Sequence, residues 1–275
     1  VAVVAVLLAS AACSGGAPSP PNDASTDPEP QASPSLSTEP VELTVFGAAS
    51  LKGALERVKT VYEAAHPGLT VTLATDSSVA LRTQIEQGAP ADVYLSADTT
   101  NAQALVDAGL ADGLAVPFAG NVLTIIVPPD NPAGIETPAD LARTGVKIVA
   151  AGDEVPIARY AAQAVGNLAR LDGYPADFAA AYAANIVSRE DNVKAVVAKI
   201  ELGEGDAGIV YATDAAASES VSSIEIPADA NVPASYAGVV VGATRHADAA
   251  RSFLDWIAGP DGQAILAEFG FLPPP

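Results

Sequence analysis

From Val41 onward the chain alternates between two hydrophobic periods, and that alternation confines it to one class of fold. Residues 41–46 alternate with the period of two that suits a strand; residues 51–64 then carry apolar side chains at 51, 54, 55, 58, 61 and 62, one face of a helix. The same exchange predicts strands over 69–74, 92–96, 121–127, 147–150, 207–211, 223–226 and 237–242. It predicts helices over 79–86, 100–108, 138–143, 157–171, 176–184, 192–202, 247–258 and 260–269. Repeated β-α-β units argue for an α/β fold with largely parallel sheets covered by helices, because parallel strands need a crossover between them. With 275 residues the chain has length for two domains of ordinary size. No repeat of fixed period is visible.

Charge and rare residues narrow the chemistry. The chain has 33 acidic residues against 13 Lys and Arg, a formal charge of −20. That balance argues against nucleic acid, whose phosphates demand clustered cations, and against an anionic membrane surface. A small anion stays open, since neutral donors can bind one locally and the repulsion is screened by salt. One cysteine, Cys13, excludes an intramolecular disulfide and any CxxC metal site, and two histidines are too few for a His-rich cluster. Carboxylate ligation of calcium or magnesium is not excluded, but no EF-hand spacing occurs.

The first 40 residues read separately. Residues 1–12 are apolar or small, too short to span a bilayer, and lead through Ser10-Ala11-Ala12 into Cys13. This resembles the end of a signal peptide and a lipobox, with Ser10 where Leu is usual; Cys13 is expected to be acylated and to become the mature N-terminus. Residues 14–40 are rich in Pro, Ser, Thr and Asp and read as a disordered tether.

One kind of turn recurs. Predicted strands end in Gly47-Ala48-Ala49-Ser50, in Thr75-Asp76-Ser77-Ser78 and in Ala151-Gly152-Asp153-Glu154-Val155-Pro156, each followed by a helix. Ser188-Arg189-Glu190-Asp191 opens the helix from Asn192. A helix start offers unpaired N–H groups and partial positive charge, and in open parallel sheets ligands bind at these ends of the strands. Two turns precede the strand at 121–127 and two follow it, so each half of the protein can contribute two. Any one turn by itself is more often a plain helix cap than a ligand site.

Several segments together resemble the molybdate-binding proteins of bacterial ABC transporters. They are Val45-Phe46-Gly47-Ala48-Ala49-Ser50-Leu51, Ser77-Ser78, the run from Leu81 to Val93, Ser96-Ala97-Asp98, Gly120-Asn121, Gly152-Asp153 with Val155-Pro156, and Gly208-Ile209-Val210-Tyr211. The resemblance spans about Val41 to Leu272. It implies a type II periplasmic-binding-protein fold, two α/β lobes joined by a two-segment hinge. Lobe I would comprise 41–120 and 229–275 and lobe II 121–228, with crossings near 118–121 and 229–234. It further implies that molybdate or tungstate is held without a cofactor and without direct metal ligands. The ligands would be the hydroxyls of Ser50 and Ser78, the backbone amides of Ile157 and Val193, and the phenol of Tyr211. A monomer hung outside the cell membrane by its lipid and serving a membrane permease completes the picture. The chain departs from many relatives at Asp76 and Val79, where Gly is common, and at Ile157, where a small residue is common.

Asp76 matters most, since a carboxylate facing the cleft would repel a dianion; it is expected to cap the helix at Val79 and point away. Arg159 is expected to be a solvated helix charge. Asp153-Glu154 and Glu190-Asp191 are expected to complement helix dipoles rather than act as acid–base pairs. Trp256 is expected in packing, and His66 and His246 at a helix end and the surface. Three other readings compete. A hydrolase on a similar fold lacks a G-x-S-x-G elbow and any base placed by motif near Ser50 or Ser78. A purely structural surface lipoprotein would not need four such turns. A binding protein for sulfate, phosphate or a small organic anion differs only in ligand.

Overall fold

The computed structural model describes residues 40–274. Cys13, the apolar run before it and the tether as far as residue 39 lie outside the described residues.

Two mixed sheets carry the fold. The first has five strands in the order β2-β1-β3-β10-β4: β1 (Val41–Ala48), β2 (Leu69–Asp76), β3 (Val93–Ser96), β4 (Val116–Asn121) and β10 (Ala234–Val240). Strand β1 pairs in parallel with β2 and β3, while β10 runs antiparallel between β3 and β4. The second is built from β5 (Leu123–Val127), β6 (Ile148–Ala151), β7 (Ile186–Glu190), β8 (Gly208–Tyr211) and β9 (Ser222–Glu225). Strands β6 and β7 pair in parallel, and β5 runs antiparallel between β8 and β9. A parallel bridge from Ile148 to Ala207 joins the two pieces.

Read through that bridge, the order β7-β6-β8-β5-β9 repeats the first sheet: two parallel pairings, then two antiparallel ones. The halves share a topology without sharing a sequence period. In each, the strand that breaks the parallel run, β10 or β5, belongs to a segment in which the chain passes from one sheet to the other.

Helices α1 (Lys52–Ala65), α2 (Ser78–Glu86) and α3 (Thr99–Asp107) follow β1, β2 and β3. Helices α4 (Pro156–Leu168) and α5 (Phe178–Ala184) follow β6, α6 (Val193–Glu201) follows β7, and α7 (Ala212–Ala216) follows β8. Helices α8 (Ala247–Ala258) and α9 (Pro260–Glu268) close the chain. Each longer helix buries the face its spacing predicts; on α1 these are Ala54, Leu55, Val58 and Tyr62. Trp256 packs edge-on against Tyr62 at 5.2 Å, as expected of a packing residue. Gly262 lets α9 fold back on α8, because a Cβ there would meet the carbonyl oxygens of Ile257 and Trp256 at 2.5 and 2.6 Å.

The expected elements are present, except that the helix expected over 138–143 is a short 3-10 helix, Pro138–Ala142, and three elements are added. Strand β4 contains Pro117 and Gly120, residues that strands disfavour; it is an edge strand, where a missing N–H is tolerated. Strand β7 is a half-exposed edge whose Ser-Arg-Glu end reads as a turn. Helix α7 is a single short turn. The predicted strand at 121–127 is also divided: Asn121 ends β4, and β5 begins at Leu123.

Candidate functional site

Strand β7 supplies what the fourth turn lacked. Ser188-Arg189-Glu190 is itself strand, so all four turns now join a strand end to a helix start. They meet. One cavity is lined by Ala48, Ala49 and Ser50 after β1, by Ser77 and Ser78 at α2, and by Val155, Pro156 and Ile157 at α4. Asn192 and Val193 at α6, Ala97 after β3 and Tyr211 at the end of β8 complete it. Ser50, Ser78, Ile157, Val193 and Tyr211, proposed from separate motifs, therefore share one small space.

The cavity measures about 10 Å³, barely the room of one water molecule and far below the several hundred Å³ of an organic ligand's pocket. No charged side chain lines it. Its polarity comes from helix starts, each with amides that the helix cannot pair. Neither the Ile157 nor the Val193 amide has a backbone acceptor among the described residues. Pro156 occupies the first position of α4, where a missing N–H costs nothing, and Val155 before it offers no capping oxygen. The Ile157 amide is thus left free of local competition. Asn192 caps α6, but through the amide of Ala195 at 3.1 Å, not that of Val193.

Both serine hydroxyls are held at the cavity by hydrogen bonds from the first half of the chain and from β10. Ser78 Oγ accepts from the Ala97 amide at 3.0 Å, so its own proton must point elsewhere. The Ser78 carbonyl is in turn held by the Tyr94 hydroxyl at 2.7 Å. Ser50 Oγ lies 3.0 Å from Tyr236 Oη.

Tyr211 has the least satisfied group in the cavity. Its side chain is buried, and among the described residues its hydroxyl has no hydrogen-bond partner. Burial, reinforced by the neighbouring phenols and by Asp214, pushes its pKa well above the ordinary tyrosine value. It therefore stays protonated, with a hydroxyl proton to donate at the edge of the cavity it lines. Its ring is held by Tyr160 and Tyr236 at centroid distances of 6.3 and 5.6 Å.

Two expectations need correction. Asp76 does not cap α2: Ser77 does, accepting from the Ala80 amide at 3.3 Å. The Asp76 carboxylate instead accepts from the Ser77 amide at 2.7 Å and from Asn192 Nδ2 at 3.2 Å, and it does not line the cavity. Nor is Arg159 a free surface charge. It reaches from α4 to the buried carboxylate of Asp98, and its second nitrogen donates to Thr100 Oγ1 at 3.0 Å. Both contacts join an element following the first sheet to one following the second. Sequence spacing could not reveal either, since the partners are 116 and 61 residues apart.

The paired carboxylates do not complement helix starts as expected, since Val155 and Asn192 are the cap residues and neither α4 nor α6 has an acidic residue in its first turn; they form ion pairs instead. Asp153 pairs with Arg189 at 2.8 Å, and Glu190 with Lys199 at 2.8 Å. Burial alone would raise the Glu190 pKa, but its bonds to Lys199 and Ser188 outweigh this and hold it below the usual value. His66 sits at the end of α1, stacked on Tyr62 at 3.9 Å. Among the described residues, no group of His, Cys, Asp or Glu is placed to hold a metal ion, and no helix is long and apolar enough to cross a membrane.

Residues 43–272 match the family described as bacterial extracellular solute-binding protein. The molybdate-binding protein ModA of Mycobacterium tuberculosis is 34% identical over 247 residues, 89% of this chain and 90% of that protein. ModA of Escherichia coli is 30% identical, covering 84% of this chain and 88% of its own length. The solved periplasmic molybdate-binding protein of Azotobacter vinelandii superposes with a TM-score of 0.71 at 25% identity, over 85% of this chain and 100% of that one. The fold is the two-lobed α/β fold of type II periplasmic binding proteins, as the sequence led us to expect.

The unpaired hydroxyl of Tyr211 gives a direct test. A buried polar group without a partner costs about 1–3 kcal/mol. Tyr211→Phe should therefore leave the ligand-free protein as stable as wild type or about 1 kcal/mol more stable, while weakening ligand binding. Thermal melts in ligand-free buffer check this; a clear loss of stability would mean the hydroxyl has a structural partner.

Proposed function

The chain belongs to the bacterial extracellular solute-binding protein family, and from that premise we propose that it captures molybdate, and tungstate with it, for delivery to the permease of an ABC importer. The observation that carries this reading is the phenol of Tyr211, without a hydrogen-bond partner among the described residues, inside a cavity lined by helix starts and by the hydroxyls of Ser50 and Ser78. Ser50, Ser78 and Tyr211 would give hydroxyl donors, and Ile157 and Val193 amide donors. Such a set suits an anion with no proton left to donate. Phosphate near neutral pH keeps a proton that would find no acceptor, at a cost of about 1–3 kcal/mol. Asp76, the carboxylate that could have supplied that acceptor, is turned to Ser77 and Asn192. Sulfate also arrives without a proton, and only size can reject it: the smaller ion leaves some donors too far away. The names of the Mycobacterium, Escherichia and Azotobacter relatives support the same ligand.

The protein acts by binding and not by catalysis. A hydrolase would need a base beside Ser50 or Ser78, and the cavity lining has no carboxylate, lysine or histidine. A monomer is proposed with this reading.

Calorimetry with molybdate, tungstate, sulfate and phosphate tests the reading. Molybdate and tungstate should bind alike and more tightly than the other two. Ser50→Ala and Ser78→Ala should each cost roughly 1.5–3 kcal/mol of binding, the worth of a hydrogen bond to a charged group, and each variant should fold but melt lower, because the Tyr236 hydroxyl or the Ala97 amide loses a buried partner. Wild-type affinity in both variants would show the site to be misassigned.

We assign residues 41–120 and 229–275 to one lobe and 121–228 to the other, with hinges near 118–121 and 229–234. The strands support this division, since β1–β4 and β10 share one sheet. The lobes should close on the ligand. X-ray scattering with saturating molybdate should show a smaller radius of gyration; an unchanged value would count against closure.

Cys13 is proposed as the lipid-bearing mature N-terminus, on the strength of the apolar run before it and the polar segment after it. The protein would then sit on the outer face of the cell membrane. Mass spectrometry of the native protein should find an acylated N-terminal Cys13, and a free mature chain starting elsewhere would rule this out.

A further inference from the structure

We propose that Tyr236, which does not line the cavity, is a positioning residue that locks Ser50 as a donor and so makes the site discriminate against anions that carry a proton. The inference rests on reading the cavity as an oxyanion site and adds to it a residue that acts only through Ser50.

The argument is one of hydrogen-bond direction. Asn121 is buried at the end of β4, and its Oδ1 accepts from the Val122 amide at 2.9 Å. Turning this side-chain amide over would set two donors against each other, so its orientation is fixed. Nδ2 then donates to Thr213 Oγ1 at 2.9 Å and to Tyr236 Oη at 3.4 Å. Tyr236 Oη thus receives a proton and must place its own. Among the hydrogen bonds of the described residues, its one acceptor is Ser50 Oγ, at 3.0 Å. Burial, with the charge of Asp214 adding to it, keeps Tyr236 in its protonated form, so this donor is permanent. Ser50 Oγ accepts from Tyr236 and must turn its own proton to the cavity it lines. The direction runs from Asn121 through Tyr236 and Ser50 to the anion, and each donor is polarised by the one behind it.

The two serines differ in how they are locked. Ser78 is held by a backbone amide, which no side-chain substitution removes. Ser50 is held by a side chain that can be changed. Without the phenol proton, the Ser50 hydroxyl could rotate and accept from hydrogen phosphate, the role the relay denies it. Tyr236 also packs edge-on against Phe118 and Phe271 at centroid distances of 6.1 and 5.5 Å, contacts that phenylalanine keeps. Asn121 Nδ2 keeps Thr213, so removing the phenol oxygen strands no other group.

The test is calorimetry on the full chain with sodium molybdate and with inorganic phosphate near neutral pH, for wild type, Tyr236→Phe, Ser50→Ala and the double variant. Tyr236→Phe should weaken molybdate roughly three- to ten-fold, the range for one neutral hydrogen bond, and should strengthen phosphate. In the Ser50→Ala background the same change should alter neither. Equal weakening of both anions, or a further loss of molybdate affinity in the double variant, would mean a packing role and overturn the proposal. So would a Tyr236→Phe chain that does not fold. If Ser50→Ala loses molybdate while Tyr236→Phe behaves as wild type, only this inference fails. If Ser50→Ala binds as wild type, the oxyanion reading itself fails.

Discussion

The first amides of a helix have no acceptor within that helix, and in this protein four helix starts leave theirs around one space. The turn after β1 and the starts of α2, α4 and α6 all contribute lining residues. This follows from the sheets. In each, the parallel strands carry their helices away from the same end, so the helix starts of both halves face the same gap. The cavity needs no lysine or arginine to attract an anion. It has aligned peptide dipoles and hydroxyls whose protons are already committed in direction. Low polarity in the rest of the lining then strengthens each donor.

A chain of net charge −20 can hold an anion this way because its acidic groups near the cleft are engaged. Asp76 is bonded to Ser77 and Asn192, Asp98 to Arg159, Asp153 to Arg189 and Glu190 to Lys199. The first two of these contacts also tie elements of the first sheet to elements of the second. Two of the four engaged carboxylates, Asp76 and Asp98, thus also help hold the halves together. Asp98 would be costly to bury alone; Arg159, Ser96 and Asn101 offset that cost.

Much of this was readable from the sequence. The strand and helix periods located most elements, since hydrophobic spacing reports directly which face of an element is buried. Ser50, Ser78, Ile157, Val193 and Tyr211 could be nominated because each stands in a local turn or strand end with its own motif. Strands β4 and β7 escaped detection for a common reason: both are edges, where Pro117, Gly120, Ser188 and Arg189 are tolerated because one side of the strand need not pair or pack. Asp76 was recognised as important but misassigned, because a carboxylate before a helix looks like a cap whether or not a serine takes that place.

What the sequence by itself determined is local: periodicity, turn chemistry, and which helix starts bring donors without charge. The direction in which those donors point was decided only in the tertiary structure. Ser50 meets Tyr236, 186 residues away, at 3.0 Å, and Tyr236 in turn accepts from Asn121, so the partners that bear on the Ser50 hydroxyl are set by the fold. Arg159 is a latch and not a surface charge because Asp98 lies across the cleft. Hydrogen bonds are short-ranged and directional, so a hydroxyl's role depends on which groups the fold brings within about 3 Å of it, and sequence spacing carries no information about that.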